Sequence, residues 1–186
     1  MRTKSKLEIS GNLQKRIIGG DKKAMAKFVE LSYSGAFQTA FRMTQNTQDA
    51  EDACQNAFVH FFKSIKSFRE KSSLSTWFYR ILINCAIDMI RARKTNTVAL
   101  DEKLVSIEEQ HNPLRRIVNK ELTCKMQNAI ERLGPRQRAI FSLKHFDGLK
   151  FEQIAAILGI SPSTVKIHFY RAVISLNKSL RYYVEE

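Results

Sequence analysis

Ser163, Ile167, Tyr170, Arg171 and Ile174 recur at helical spacing, so they share one side of a helix, with Lys166 on its flank. That side offers a hydroxyl, a phenol, a guanidinium, an ammonium and two aliphatic groups. No activated nucleophile and no set of metal ligands stands among them. The chemistry available is recognition by hydrogen bond, charge and apolar contact, not catalysis.

The stretch that must position them is FEQIAAILGISPSTVKIHFYRAVISL, Phe151 to Leu176. Ile154, Ala155 and Leu158 form the apolar stripe of a first helix, and Gly159 can take the left-handed conformation that ends it. Ser161 then suits an N-cap and Pro162 the first helical position, where its missing N–H costs nothing. Val165, Phe169, Ala172 and Leu176 fall on the side of the second helix opposite the polar set. Short helix, glycine turn and capped second helix are the marks of a helix-turn-helix, whose second helix enters the DNA major groove. The competing reading is an ordinary helical hairpin with a solvated outer face.

Charge favours the first reading. The 186 residues carry a net charge of +13, and clustered Lys and Arg bind polyanions by releasing condensed counterions. Residues 1–96 carry 17 basic and 8 acidic groups, residues 97–112 carry 1 and 4, and residues 113–186 carry 13 and 6. Two basic blocks therefore flank an acidic connector. Only seven glycines and three prolines, with 44% hydrophobic residues, fit an all-α protein with real cores.

Enzyme chemistry finds no support. Clustered carboxylates, a phosphate-binding glycine loop and metal-ligand spacing are all missing, and His60, His111, His145 and His168 are scattered. No catalytic residue, metal or cofactor is expected. Cys54, Cys85 and Cys124 are isolated on apolar helical stripes, which fits buried reduced thiols and a cytoplasmic setting. The basic N-terminus lacks the apolar core of a signal peptide, and no run reaches the length of a membrane span, so no direct membrane insertion is expected.

Along the chain, residues 1–18 read as a polar, basic tail or a short helix, broken at Gly19 and Gly20. Asp21 is an N-cap for a helix with Ala24, Phe28, Leu31, Phe37, Ala40 and Phe41 inward and a weak point at Ser34 and Gly35. Ala50, Ala53, Cys54, Ala57, Phe58, Phe61, Phe62 and Ile65 mark the next helix, capped by Asn46 or Thr47, with Asp49, Glu51 and Asp52 near the positive end of its dipole. Its opposite face carries Asp52, Gln55, Asn56, Val59 and Lys63, which is either solvated or a docking surface; an exposed Val59 favours docking.

After SFREKSS, a helix from Leu74 to Arg93 is apolar almost all round and must be covered on both sides. Its basic end, DMIRARK, suits the helix dipole or a phosphate backbone. The acidic segment 95–112 reads as a linker. Pro113 opens four more helices, beginning with Leu114, Ile117, Val118, Leu122, Met126, Ala129, Ile130 and Leu133, then PRQRAIFSLKHF with Ile140, Phe141 and Leu143 inward. The expected fold is all-α, two small helical domains joined by a flexible linker, the second ending in the helix-turn-helix.

Here motifs become recognisable. LGPRQRAIFSLKHFDGLKFEQIAAILGISPSTVKIHFYRAVISL resembles the C-terminal promoter-reading domain of bacterial sigma factors. AEDACQNAFVHFFKSIKSF followed by STWFYRILINCAIDMIRAR resembles their central domain. In order and spacing the chain is similar to the extracytoplasmic function (ECF) subfamily. The resemblance implies a tail over 1–18, sigma region 2 over 19–94, an acidic linker over 95–112 and region 4 over 113–186.

It also implies a job for each face. The helix bearing Asp49, Asp52, Gln55, Asn56 and Val59 would dock on the clamp of the largest subunit of core RNA polymerase. The loop with Phe68, Arg69 and Lys71, together with Asn84, would capture a base flipped from the −10 element, an aromatic wall and an amide being what such a base needs. Phe68 as a plug under the loop, and Asn84 as a buried interhelical hydrogen bond, are the competing readings. Ser163, Lys166, Ile167, Tyr170 and Arg171 would read −35, with Arg171 on a guanine, Tyr170 on a phosphate or thymine methyl and Lys166 on phosphate.

Two residues depart from the family pattern: Ile167 stands where a small polar residue is often seen, and Asp88 lies near the DNA-facing end of its helix. An anti-sigma factor, in this family often membrane-anchored, is a further implied partner. A stand-alone helix-turn-helix transcriptional regulator is the alternative, although it leaves the first domain without a role.

Overall fold

The computed structural model describes residues 10–70, 72–96 and 125–180, and all structural statements concern these. Among them every regular element is a helix: α1 Gly11–Ile18, α2 Lys22–Thr44, α3 Thr47–Ser64, a 3-10 turn Ile65–Ser67, α4 Leu74–Asn96, α5 over 125–131, α6 Pro135–His145, α7 Phe151–Leu158 and α8 Pro162–Leu180. Lys71, Cys124, His111, most of the 95–112 segment and the 113–124 part of the expected first helix of the second domain lie outside the described residues.

The helix starts are set by local chemistry. Asp21 Oδ1 accepts from the N–H groups of Lys23 (2.8 Å) and Ala24 (3.2 Å), while its Oδ2 accepts from Arg16. The guanidinium is the first cause, and the capping bonds a further one, of a carboxyl held below its usual range. Of the two candidate caps for α3, Asn46 takes the role: its Oδ1 accepts from Asp49 N–H at 2.9 Å. Gln45, just past α2, adopts a left-handed conformation at φ 56° and turns the chain there. Residues 11–18 take the short-helix option, with Ile17 fully buried.

Two expectations about α2 fail. Leu31 is 63% exposed, while Phe28, Ala36, Thr39, Ala40 and Met43 define the buried line. At 100° per residue, Leu31 lies about a third of a turn off the middle of that line. Nor does the helix weaken at Ser34 and Gly35, for α2 runs through them unbroken.

The first group of helices closes around an aromatic centre. Phe28 stacks on Phe61 (centroids 4.8 Å) and meets Phe78 edge-on (5.2 Å), and Phe58 stacks on Phe78 (4.7 Å). These rings come from α2, α3 and α4, so the 3.6-residue stripes read in the sequence meet in one place. A smaller core joins α5, α6 and α8 through Ala129, Ile130, Leu133, Phe141, Ala172 and Leu176.

Helix α4 is covered on both sides, as its all-round apolarity requires, and the second cover is the other domain. The main core continues from α2, α3 and α4 into Ala139, Ile140, Leu143, Leu149, Ile154, Ile157 and Val165. Polar ties cross the same boundary. Arg80 of α4 donates to the carbonyls of Ile157 (3.1 Å) and Ala156 (2.5 Å) at the end of α7. Arg138 of α6 donates to the Met43 carbonyl at the end of α2 (2.7 Å) and to the Glu131 carbonyl. Asp147 accepts from Arg42 (2.9 Å), and its other carboxylate oxygen lies 3.1 Å from the Thr39 hydroxyl.

Candidate nucleic-acid interface

The helix-turn-helix is built as the sequence implies. Gly159 ends α7 at φ 67°, and the Ser161 hydroxyl accepts from Thr164 N–H at 3.1 Å to start α8. Val165, Ala172 and Leu176 are buried, with Phe169 partly so against Phe141 and Phe151. Ser163, Lys166, Ile167, Tyr170, Arg171 and Ile174 are all exposed. The five candidate base-reading and phosphate-contacting residues therefore share one accessible face, rigidly backed by a packed one.

Lys166 is not loose in solvent. Its ammonium sits 5.9 Å from the centre of the Phe151 ring, whose other cationic neighbour, Lys144, lies at 4.7 Å. Phe151 thus gathers charge from α6 and α8 beside the start of α7. Ser163 shares a 2.8 Å hydroxyl contact with Ser161, which fixes its rotamer near the helix N-terminus.

The loop after α3 differs in kind. Phe68 is half-buried, its ring 5.1 Å from that of Trp77, which in turn lies 5.1 Å from Phe61. Its N–H closes the 3-10 turn on Ile65. Phe68 is thereby a plug that continues the aromatic core, with one side left open. Arg69 is exposed, and Glu70 takes a left-handed φ of 53°, which a residue with a side chain adopts only where a tight turn demands it. Asn84 is exposed on α4, so the buried interhelical hydrogen bond considered for it is not made. Asp88 is exposed too, 3.8 Å from Arg91, which tempers its charge.

On α3, Gln55, Asn56 and Val59 are exposed, Val59 by 47%, and Asp52 is half-buried with its Oδ1 accepting from Gln48. Asp49 stands apart from this set. It lies 3.6 Å from Arg93 of α4, and burial pushes its carboxyl up, with Arg93 opposing and Asp52 adding to the shift. Its first role is to join the start of α3 to the end of α4. Sequence reading missed Trp77, Arg80, Arg138 and Asp147. The signal for Arg80 was weak, since it is one of several polar residues, with Asn84, Asp88 and Arg91, at helical spacing along α4.

No metal-binding group of His, Cys, Asp or Glu occurs among the described residues, and none of their helices is long and apolar enough to cross a membrane. What the geometry offers is a helix-turn-helix whose second helix has one packed and one exposed face, joined to a helical domain with a second set of exposed polar and aromatic groups.

These are the elements of a bacterial transcription initiation factor, and comparison agrees in both halves. Sigma-70 region 2 matches residues 28–95 and Sigma-70 region 4 matches residues 125–176. The ECF RNA polymerase sigma factor SigW of Bacillus subtilis is 33% identical over 177 residues, covering 90% of this chain and 94% of that protein. The ECF RNA polymerase sigma-E factor of Escherichia coli is 29% identical, over 86% of this chain and 88% of its own length. The chain belongs to the ECF RNA polymerase sigma factors. Such proteins direct RNA polymerase to promoters and are not themselves enzymes.

Two solved structures share the fold. CnrH, in complex with the cytosolic domain of CnrY, superposes with a TM-score of 0.68 at 19% identity, over 92% of this chain and 97% of that one. The sigma factor RpoE of Bartonella quintana, in complex with the anti-sigma factor NepR, gives 0.66 at 23% identity, over 86% and 98%. The match across both regions also removes the reason for a stand-alone regulator, which would need only the second.

Proposed function

We propose that this chain binds core RNA polymerase through the α3 face of Asp52, Gln55, Asn56 and Val59, with Asp49 at its edge, and brings it to promoters read at two elements. Region 4, assigned to 113–186, reads −35 through Ser163, Lys166, Ile167, Tyr170 and Arg171. Region 2, assigned to 19–94, engages a −10 base through Phe68, Arg69, Lys71 and Asn84. The segments 1–18, whose helix α1 packs Ile17 into the core, and 95–112 are assigned as N-terminal segment and linker, and the protein works in the cytoplasm where polymerase and promoter meet.

The observation that carries this reading is the division of α8. One side is buried in the fold, and the other exposes Arg171, Tyr170, Ile167 and Lys166 together on a helix started at Ser161. Binding energy performs the work, since a guanidinium placed bidentately on guanine distinguishes it from the other bases. Beside it, the aliphatic Ile167 favours a thymine methyl.

An anti-sigma factor is proposed as regulator. Support comes from RpoE of Bartonella quintana, solved with the anti-sigma factor NepR, and CnrH was solved with the cytosolic domain of CnrY. The test is transcription in vitro with core polymerase, this chain and a promoter library, with start sites mapped. Initiation from a shared pair of upstream elements, dependent on the chain, is the expected result. Start sites unchanged by adding the chain overturn the reading.

A further inference from the structure

The contacts assigned so far leave one strongly charged surface without a role. Residues 10–29 and 63–69 carry eight basic groups against the single carboxylate of Asp21. Helix α1 packs on α2 and on the 3-10 turn Ile65–Ser67, and Ile17 is buried in the same core as Ile65. The cations of α1, of the start of α2 and of the turn therefore stand on adjoining elements. The turn runs directly into Phe68, so they border the loop assigned to the −10 base.

Fold stability does not account for all of this charge. Lys15 and Lys63 lie in the last turns of α1 and α3, where the helix dipole favours a cation. Lys22 and Lys23 are the opposite case, because they open α2, whose first turn holds no acid, and so face the positive end of its dipole. Asp21 caps that helix, but its carboxylate is also held by Arg16 at 2.8 Å. Lys15, Lys22, Lys23, Lys63, Lys66 and Arg69 are all exposed, and among the described residues none of the six is ion-paired. Lys27, one turn further along α2, does pair, with Glu30 at 2.9 Å.

A surface of unpaired ammonium groups suits a partner with repeating negative charge. Lysine is a flexible point charge, which meets phosphate without reading a base. A strand unpaired so that one base can enter the loop must carry its backbone on past that loop, and the turn bearing Lys66 lies on its border. Sigma-70 region 2 matches only from residue 28, so α1 and the start of α2 lie outside the matched residues.

Resting on the −10 assignment above, we propose that α1, the start of α2 and the 3-10 turn form a phosphate-binding shelf for the backbone of the melted strand beside the captured base. The shelf adds affinity for open DNA and reads no sequence. Its cations at the start of α2 are kept for DNA at the expense of the helix that bears them.

The experiment compares holoenzymes made with the unaltered chain, with Lys15→Gln/Lys66→Gln and with Lys22→Gln/Lys23→Gln. Each is titrated on a promoter with a pre-melted −10 segment, and on two shortened forms whose unpaired strand stops just before or just after the captured base. Both variants should bind the full bubble more weakly. A phosphate contact on a single strand contributes about 0.7 to the salt slope, so the deficit from two lost contacts should shrink by roughly sevenfold between about 50 and 200 mM salt. The deficit should vanish on one of the shortened forms, and Lys→Arg replacements should restore binding. The Lys22→Gln/Lys23→Gln chain should also melt at a higher temperature while binding open DNA less well, a pairing that a purely structural role would not give. Equal affinity of all three holoenzymes for the full bubble overturns the shelf, as does a deficit that persists on both shortened forms. Weaker binding of the variants to core polymerase without DNA overturns it too, and assigns the cations to an acidic face of the enzyme. Unaltered holoenzyme that binds equally well when the captured base is replaced by an abasic site would instead defeat the −10 assignment itself.

Discussion

The ring of Phe68 lies 5.1 Å from that of Trp77, at 37° between planes, and so ties the loop after α3 to the aromatic core around Phe61. A residue proposed to hold a flipped base is also a structural plug, and the two roles separate under mutation. Phe68→Ala removes packing from a half-buried ring and should lower stability by about 1 to 3 kcal/mol, read by thermal melting. Arg69→Ala is exposed and should leave melting unchanged while slowing promoter opening. Normal opening by the Arg69 variant would remove that residue from the −10 contact.

On α8, Arg171→Ala should relax discrimination at one −35 position by about 1 to 3 kcal/mol, and Lys166→Ala should weaken binding to all sequences alike and lower the salt slope by about one. Holoenzyme titrations on matched and mismatched promoters at several salt concentrations distinguish the two. Equal effects from both substitutions would count against a division between base and phosphate contacts.

Val59 is an exposed aliphatic on a polar face, and truncation to Ala should weaken core binding by about 1 kcal/mol with no loss of fold stability. Asp52→Ala should act in the same direction. Competition for core enzyme against the unaltered chain reads both, and unaltered competition would move the docking face elsewhere.

Burial pushes the Cys54 thiol up to about 12, with small additions from Cys85 and Glu51. The reactive thiolate is then scarce at pH 8, so alkylation of Cys54 in the folded chain should be slower than in the urea-unfolded chain by more than about a hundredfold. Mass spectrometry of iodoacetamide-treated protein measures it. The sign follows from the raised value: reactivity increases with pH and stays low through pH 9.

Helix α2 supplies a paired test of the core. Phe28→Ala empties the centre of four ring contacts and should cost about 3 to 5 kcal/mol. Leu31→Gln, only three residues on, should change stability by less than about 0.5 kcal/mol, because Leu31 already faces solvent. Chemical denaturation of each variant reads the difference, and a large loss at Leu31 would mean that something covers it in solution.

The helices and the recognition face were legible because they rest on short-range rules. A 3.6-residue period, an N-cap at Asn46 or Ser161 and a glycine at position 159 act within a few residues of themselves, so α3, α7 and α8 were written in the order of the chain. The exposed set on α8 followed from the same rotation. Tertiary structure alone decided what met across the boundary: that Asp147 would lie against Arg42, more than a hundred residues away, and that Arg80 and Arg138 would each finish a helix of the other domain. It also decided that Phe68 would be a plug, that Asn84 would face solvent, and that Leu31 would fall outside the core. Periodicity states which side of a helix is apolar, but what covers that side depends on how distant segments pack, and packing is a property of the whole chain.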